Sequence, residues 1–222
     1  MDIRIAVRQR RSIRKFKSDE VPEKVIHEIL EDARWAPSWG NTQPWELYVL
    51  TGKILDRLKK ANRQKVLEGV PFSPDIKMPE IWPECLKKRY IAVGKSVLTS
   101  LAIAREDQQA RIQYNADMFS FFSAPCLILF CLDKSLIIEY AMLDIGIILQ
   151  TICLLAHERG LGTCILAASV RYPDLLREIF MIPEDKTIVI GVALGFPDWD
   201  SPVNHFERER ANLDDFVTWV SD

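Results

Sequence analysis

Two apolar runs of strand length constrain the fold of this chain more than any other feature. CLILFCL, Cys126 to Leu132, and TIVIGVALG, Thr187 to Gly195, contain no charged side chain. A run with no polar face has nothing to show water, so each predicts a central strand buried on both sides. Gly191 interrupts the second run and marks a place where a neighbour approaches the backbone closely. Between the runs lies a long apolar stretch, Leu136 to His157, that carries Glu139, Asp144 and Gln150. Lipid tolerates such groups poorly, so the stretch predicts a helix buried in a protein core or between subunits.

The remaining segments supply the flanking layers. Pro22 stands at a first-turn position, and Val25, Ile26, Ile29, Leu30 and Ala33 give an amphipathic helix ending near Ala36. PWELYVL, Pro44 to Leu50, reads as a strand closed by Thr51 and Gly52, and a charged helix follows to about Glu68. Pro71, Pro74, Pro79 and Pro83 make residues 69–84 an irregular excursion with the character of a lid. A single long helix is expected from about Leu86 to past Gln113, with Ile91, Val97, Leu98, Leu101 and Ile103 as core contacts. From Phe196 to Asp222 no helical period appears until near the end, and Trp199, Phe206, Phe216 and Trp219 need cover that another subunit can provide. Strands mixed with helices, without regular alternation, predict an α+β sandwich in a single domain of 222 residues.

Charge and composition narrow the function. Lys and Arg number 29 against 31 Asp and Glu, so there is no global field for nucleic acid or an anionic membrane surface. Five cysteines without CxxC spacing predict reduced, mostly buried thiols and a cytoplasmic protein. Arg4 and Arg8 interrupt any signal-like apolar run at the start. His27, His157 and His205 show no metal-ligand spacing, so metal catalysis is not expected. GLGTC, residues 160–164, follows a helix and precedes a strand, which is a helix C-cap with Gly160 or Gly162 left-handed and the reverse of a dinucleotide fingerprint.

Against that neutral background RRSIRKF, residues 10–16, gathers Arg10, Arg11, Arg14 and Lys15 around Ser12. A solvated face is one reading. The other follows from Ile3, Ala6 and Val7, whose spacing predicts a short helix over Asp2 to Gln9. The chain then turns where the arginines gather, and guanidinium groups beside a hydroxyl suit the forked hydrogen bonds of a phosphate monoester. APSWGNTQPW, residues 36–45, reads as an ordinary connection in which Ser38 and Asn41 satisfy the backbone. NHFERER, residues 204–210, reads as a solvated run in which Glu207 and Glu209 pair with the arginines locally.

Taken in order, RRSIRKF, APSWGNTQPW, FFSAP at 121–125, AHERGLGTC at 156–164, VALGFPD at 192–198 and RERANLDDFV at 208–217 resemble the FMN-dependent nitroreductase family. The resemblance implies a mixed sheet flanked by helices in an intertwined homodimer, with residues 196–222 wrapping the partner and two FMN molecules at the interface. It places Arg10, Arg11, Ser12, Arg208 and Arg210 on the FMN phosphate and ribityl chain, and Arg14 at the flavin pyrimidine edge. Pro37, Ser38, Trp39 and Asn41 of the other subunit would lie against the ring, and the backbone of Cys164, Ile165, Leu166 and Ala167 would pass flavin N5. The implied activity is ping-pong: NADH or NADPH delivers hydride to the flavin and a small aromatic acceptor removes two electrons, with no catalytic side chain and no metal. Phe119, Phe121 and Phe122 are candidates either for an aromatic substrate site or for the core. Met118 and Ser120 stand where relatives often carry a basic or amide residue, and 164–167 lacks a polar residue sometimes found there. The same fold also suits an enone reductase, a reductive dehalogenase, a flavin-destroying enzyme or a non-catalytic flavin-binding module.

Overall fold

The computed structural model describes residues 1–221; Asp222, the end of the 196–222 extension, lies outside the described residues. In chain order the elements are α1 (Ile3–Gln9), α2 (Glu23–Ala33), β1 (Glu46–Thr51), α3 (Gly52–Leu67), α4 (Glu84–Ser100), α5 (Gln108–Phe119), β2 (Cys126–Asp133), α6 (Ile138–Glu158), β3 (Gly162–Leu166), α7 (Pro173–Phe180) and β4 (Lys186–Gly195). The four strands form one sheet in the order β1-β2-β4-β3, with every pair antiparallel. An isolated parallel bridge between Ser12 and Thr163 supplies the parallel component at the β3 edge.

Strand β2 shows why the sheet must be covered twice. Its side chains alternate between two cores: Leu127, Leu129 and Cys131 pack with Leu55 and Leu58 of α3 and Leu176 of α7. Cys126, Ile128, Phe130 and Leu132 pack with Ile26 and Ile29 of α2 and Ile145, Ile148 and Ile152 of α6. Each fully buried aliphatic or aromatic side chain contributes roughly 1.5–3 kcal/mol, so this strand and its mirror positions in β4 dominate the stability of the domain. Helix α6 is, among the described residues, the one helix long and apolar enough to cross a membrane. One of its faces packs on the sheet, and Asp144 within it is buried and accepts a hydrogen bond from the Trp39 amide at 3.0 Å.

Four expectations need correction. The single helix expected from Leu86 past Gln113 is two helices, α4 and α5, parted where Ala102 takes a left-handed φ of 54°. Asp107 then caps α5 by accepting from the Ala110 amide at 2.9 Å, a start signal the apolar spacing concealed. Of the core contacts expected in that stretch only Val97 is buried; Ile91 lies exposed on α4, and Leu98, Leu101 and Ile103 are half-buried. Helix α2 stops at Ala33, three residues before the expected end, and the tail has no α-helix near its end, only a three-residue turn at Leu213–Asp215.

The proline-rich excursion is half pinned. Asp75 takes a forked pair of hydrogen bonds from Arg177 at 3.2 and 2.8 Å and a third from the Ile188 amide at 2.8 Å. Phe72 stacks on Phe119 with centroids 5.5 Å apart, whereas Ile81 beyond it is 90% exposed. Phe119, Phe121 and Phe122 are all buried in the core on the α3 and α7 side of the sheet.

Gly191 behaves as its place in the run predicted. A Cβ there would overlap Ser169 Oγ and sit 2.9 Å from Ser169 Cβ and 3.2 Å from Leu127 Cδ1. Gly191→Ala is therefore expected to destabilise the fold by about 1–3 kcal/mol in urea unfolding. The penalty should shrink in a Ser169→Ala background, which removes the overlapping oxygen; an unchanged penalty in the double variant would place the clash elsewhere.

Candidate functional site

The site is built where the N-terminal segment is laid onto the sheet edge. Asp2 caps α1 by accepting from the Arg4 amide at 2.8 Å, and the helix ends at Arg10. The chain then runs extended: the Ile13 amide donates to Thr163 O at 2.9 Å and the Lys17 amide to Phe196 O at 2.9 Å. Ile13 and Phe16 are buried, 1% and 4% exposed, which turns their neighbours away from the core. Gly162 makes the close approach feasible, because a Cβ there would lie 2.5 Å from Ile13 Cγ1 and 2.8 Å from Pro197 Cγ.

The tail clasps this segment from the other side. Asn204, fully buried, accepts from the Arg14 amide at 2.8 Å and donates to Lys15 O and Asp198 O, each at 2.8 Å. The Phe206 ring lies under two guanidinium groups, 5.8 Å from that of Arg11 and 5.5 Å from that of Arg14, and Arg11 also donates to the Phe206 carbonyl. Arg208 donates to the carbonyls of Arg8 at 2.8 Å, Gln9 at 3.5 Å and Arg10, satisfying the open end of α1. The expected local pairing of Glu207 and Glu209 with these arginines does not form. Among the described residues no ion pair reaches Arg10, Arg11, Arg14, Arg208 or Arg210.

The electrostatics follow from that arrangement. Burial, and then the charge of Arg14, pull Arg11 below its ordinary value. Burial, and then Arg11, Arg210 and Arg10, do the same to Arg208. Burial, and then Arg10 and Arg208, depress the imidazole of His157. Burial and like charge both disfavour the charged forms, and an anion placed among these groups would oppose both. Arg10 Nε is buried and has no hydrogen-bond partner among the described residues, and Arg10 lines a small pocket with Arg11, His157, Thr163 and Trp199 and the apolar Ile13, Leu161 and Pro197. Forked cationic donors without carboxylates, one of them orphaned, fit a phosphate group.

Of the residues singled out in the sequence, the fold brings together Arg10, Arg11, Ser12, Arg14, Cys164 and Arg208. Ser12 and Arg14 both neighbour the buried Cys164, whose thiol burial raises to about 11. In the same strand Ile165 is 41% exposed, Leu166 is buried and Ala167 opens the following turn. Arg210 stays exposed, its guanidinium donating to Glu209 O at 2.7 Å. Pro37, Ser38, Trp39 and Asn41 stand apart. Their loop is held by Ser38 Oγ, which accepts from the Gln43 amide at 2.9 Å, and by the Trp39 amide on Asp144. Gly40, Asn41 and Gln43 all take left-handed φ values, so the turn is tight and its side chains point outward. Asp144 precedes His157 by thirteen residues of α6, a separation of about 20 Å along the axis. Within one chain the loop therefore does not reach the arginines.

Two contributors were missed in the sequence, and a third, Phe206, was expected to need cover from another subunit but meets Arg11 and Arg14 of its own chain. Asn204 lay hidden in a run that reads as alternating charge. Tyr114 of α5 faces Arg14, and its phenol is pushed up by burial. No periodicity could have paired residues so far apart.

The chain matches the nitroreductase family over residues 7–196. It is 35% identical to a chloronitrobenzene nitroreductase of Comamonas testosteroni, over 96% of this chain and 95% of that one. It is 33% identical to a 4-nitrobenzoate reductase of a Nocardioides species, over 97% of this chain and 89% of that one. Its fold superposes on the FMN and NADPH-dependent nitroreductase NfnB of Sphigopyxis sp. strain HMH with a TM-score of 0.95, at 28% identity, covering all of both chains. The FMN-dependent NfnB of Mycobacterium smegmatis in complex with NADPH gives 0.92 at 28% identity, over 98% of this chain and 97% of that one. The α+β fold, the segment laid along the sheet edge and these matches agree: the chain belongs to the nitroreductase family.

The clasp has a direct test. Asn204→Ala leaves the Arg14 amide without a partner and takes one of two donors from the Lys15 and Asp198 carbonyls, which keep the amides of Asp198 and Ser201; it is expected to cost about 1–3 kcal/mol. Limited proteolysis should then cut within residues 199–210 sooner than in the parent; identical cleavage rates would show that the tail is held by Phe206 and Arg208 alone.

Proposed function

We propose that this protein is an FMN-dependent oxidoreductase that uses NADH or NADPH to reduce nitroaromatic or quinone-like acceptors in a ping-pong cycle. The observation that carries the reading is the arginine cluster without acidic partners, in which the buried Arg10 Nε lacks a hydrogen-bond partner among the described residues. Arg10, Arg11 and Ser12 hold the phosphate and ribityl end, and Arg208 adds charge while capping α1. Arg14, fixed by Phe206 and by its bond to Ser12 O at 3.3 Å, presents its guanidinium to the pyrimidine edge of the ring. The backbone of Cys164, Ile165, Leu166 and Ala167 forms the wall beside the ring. FMN, when bound, supplies the two-electron chemistry. The chain's own task is to bind it, orient it and keep water from it, and neither a catalytic side chain nor a metal is assigned. The five free thiols, four of them buried, support a reducing cytoplasmic setting.

We further propose that the working unit is a homodimer in which Pro37, Ser38, Trp39 and Asn41 of one protomer complete the site of its partner. Two observations support this: the loop stands about 20 Å along α6 from the arginines of its own chain, and large apolar side chains are exposed on the elements concerned. Ile3 and Val7 on α1, Leu143 and Ile147 on α6, and Phe216 and Trp219 on the tail all face outward. The exposed face of α6 is apolar over several turns, which a second copy would cover.

The purified protein is expected to be yellow, with one FMN per chain, and to oxidise NAD(P)H in the presence of a nitrobenzoate. Arg10→Ala should weaken FMN binding by roughly 1.5–3 kcal/mol, the scale of a charge-assisted hydrogen bond. A colourless protein that binds no added FMN, or an Arg10→Ala variant of parental affinity, would return the cluster to a solvated face.

For the dimer, deleting residues 211–222 should lower dimer content in sedimentation and release FMN in parallel. A truncated protein that remains dimeric with full flavin occupancy would assign the tail no part in either.

A further inference from the structure

A histidine borders the arginine cluster. His157, in the last turn of α6, lines the small pocket that also contains Arg10, Arg11, Thr163 and Trp199. Its Nε2 is buried and, like Arg10 Nε beside it, has no hydrogen-bond partner among the described residues. Two orphaned polar atoms, on residues of separate elements that line one pocket of about 10 Å³, point to a shared polar occupant no larger than a water inside it, beside the larger group the arginines would hold.

The charges around the ring are of one sign. From the N-terminal segment Arg10 and Arg11 face it, and from the tail Arg208 adds a third cation. The nearest carboxylate on its own helix, Glu158, is engaged by the Met1 amino group at 3.6 Å and by Arg159 at 3.9 Å. Cys153, one turn earlier, is buried and raised above its ordinary value, so it contributes no negative charge. Thr163 and Trp199, with the apolar Ile13, Leu161, Gly162 and Pro197, complete the wall without charge. A second proton on this imidazole is opposed by burial and by the guanidinium groups of Arg10 and Arg208.

We propose that His157 is a further member of the anion-binding cluster: neutral in the flavin-free protein, it takes up a proton when the FMN phosphate neutralises Arg10, Arg11 and Arg208. The inference rests on the reading that the phosphate lies among these arginines. In the flavin-free state the neutral ring adds no further repulsion to a crowded cationic site. In the bound state the phosphate dianion reverses the local field, and the protonated ring becomes one more donor to it or to a water it holds. The sign follows from linkage: a base with a higher pKa in the complex makes binding tighter as pH falls through the histidine range.

The test is isothermal titration of FMN into flavin-free full-length protein, in buffers of different ionisation heat, from about pH 7.5 to about pH 6. The parent should take up more protons per FMN than His157→Gln, and its affinity should rise over that range about threefold to tenfold more than the variant's, up to the size of a one-unit change in an imidazole pKa. The phosphate's own second ionisation, near about 6, is common to both proteins and cancels in the comparison. Riboflavin, which lacks the phosphate, should show no difference between them. Equal proton uptake and equal pH slopes in parent and variant would overturn the inference. Should His157→Gln fail to fold, proton NMR titration of the His157 ring in the parent decides instead: a midpoint that moves up on adding FMN supports it, and an unmoved midpoint overturns it. FMN that does not bind, or binds equally well to Arg10→Ala, would sink the flavin reading and this inference together. Normal FMN binding with an indifferent His157 sinks this inference alone.

Discussion

The burial of Ile13 and Phe16 against β3 and the end of β4 decides where every arginine of the site can point. Two buried side chains of this kind contribute roughly 3–6 kcal/mol together, enough to fix an extended segment that has only a few backbone bonds of its own. With Ile13 facing inward, its neighbours Ser12 and Arg14 turn to the other side along the edge of β3, while Arg11 is held by the Phe206 ring and carbonyl. Gly162 is the enabling partner, since any side chain there would lift the segment off the strand. The tail depends on the same seating, because Asn204 reads the backbone of Arg14 and Lys15 rather than their side chains.

A site assembled this way gathers like charges, and the fold contains the repulsion without neutralising it. Arg208 is held by the unsatisfied carbonyls at the end of α1, where the helix dipole favours a cation. Arg11 and Arg14 both rest over one ring, Phe206, whose face is attractive to each. Neither device supplies a negative charge. The cations remain available to an anion, which a salt bridge to Glu207 or Glu209 would have prevented. That separation of structural anchoring from charge compensation distinguishes a binding cluster from an ordinary ion-paired surface.

Helix α6 sets the geometry of the rest. One face packs on the sheet, Asp144 near its beginning holds the 36–45 loop, and His157 at its end borders the arginines. Two candidate halves of one site are thus carried on a rigid spacer too long for them to meet within the chain, with an apolar face exposed between them. Membership of the nitroreductase family and close superposition on its flavin-dependent members are coherent with that division.

Much of the framework was legible in the sequence because it rests on local periodicity. Runs such as Cys126 to Leu132 and Thr187 to Gly195 have no polar face to show water and are doubly covered strands, and of the two glycines that could end α6 it is Gly160 that is left-handed. The close neighbour of Gly191 was likewise implied by its place in the run, whereas RRSIRKF left a solvated face and an anion site both open. The break between α4 and α5 was less visible, since Ala102 carries no turn signature and the cap at Asp107 lies within a charged stretch. What only the tertiary structure decided is which distant groups share a space: Asn204 with Arg14, Phe206 with two guanidinium groups, His157 with Arg10, and the 36–45 loop with Asp144 rather than with the arginines of its own chain. Those pairings depend on how two layers of helices and a returning tail are laid over one sheet, and a chain records the residues that fit such contacts without recording the distances that bring them together.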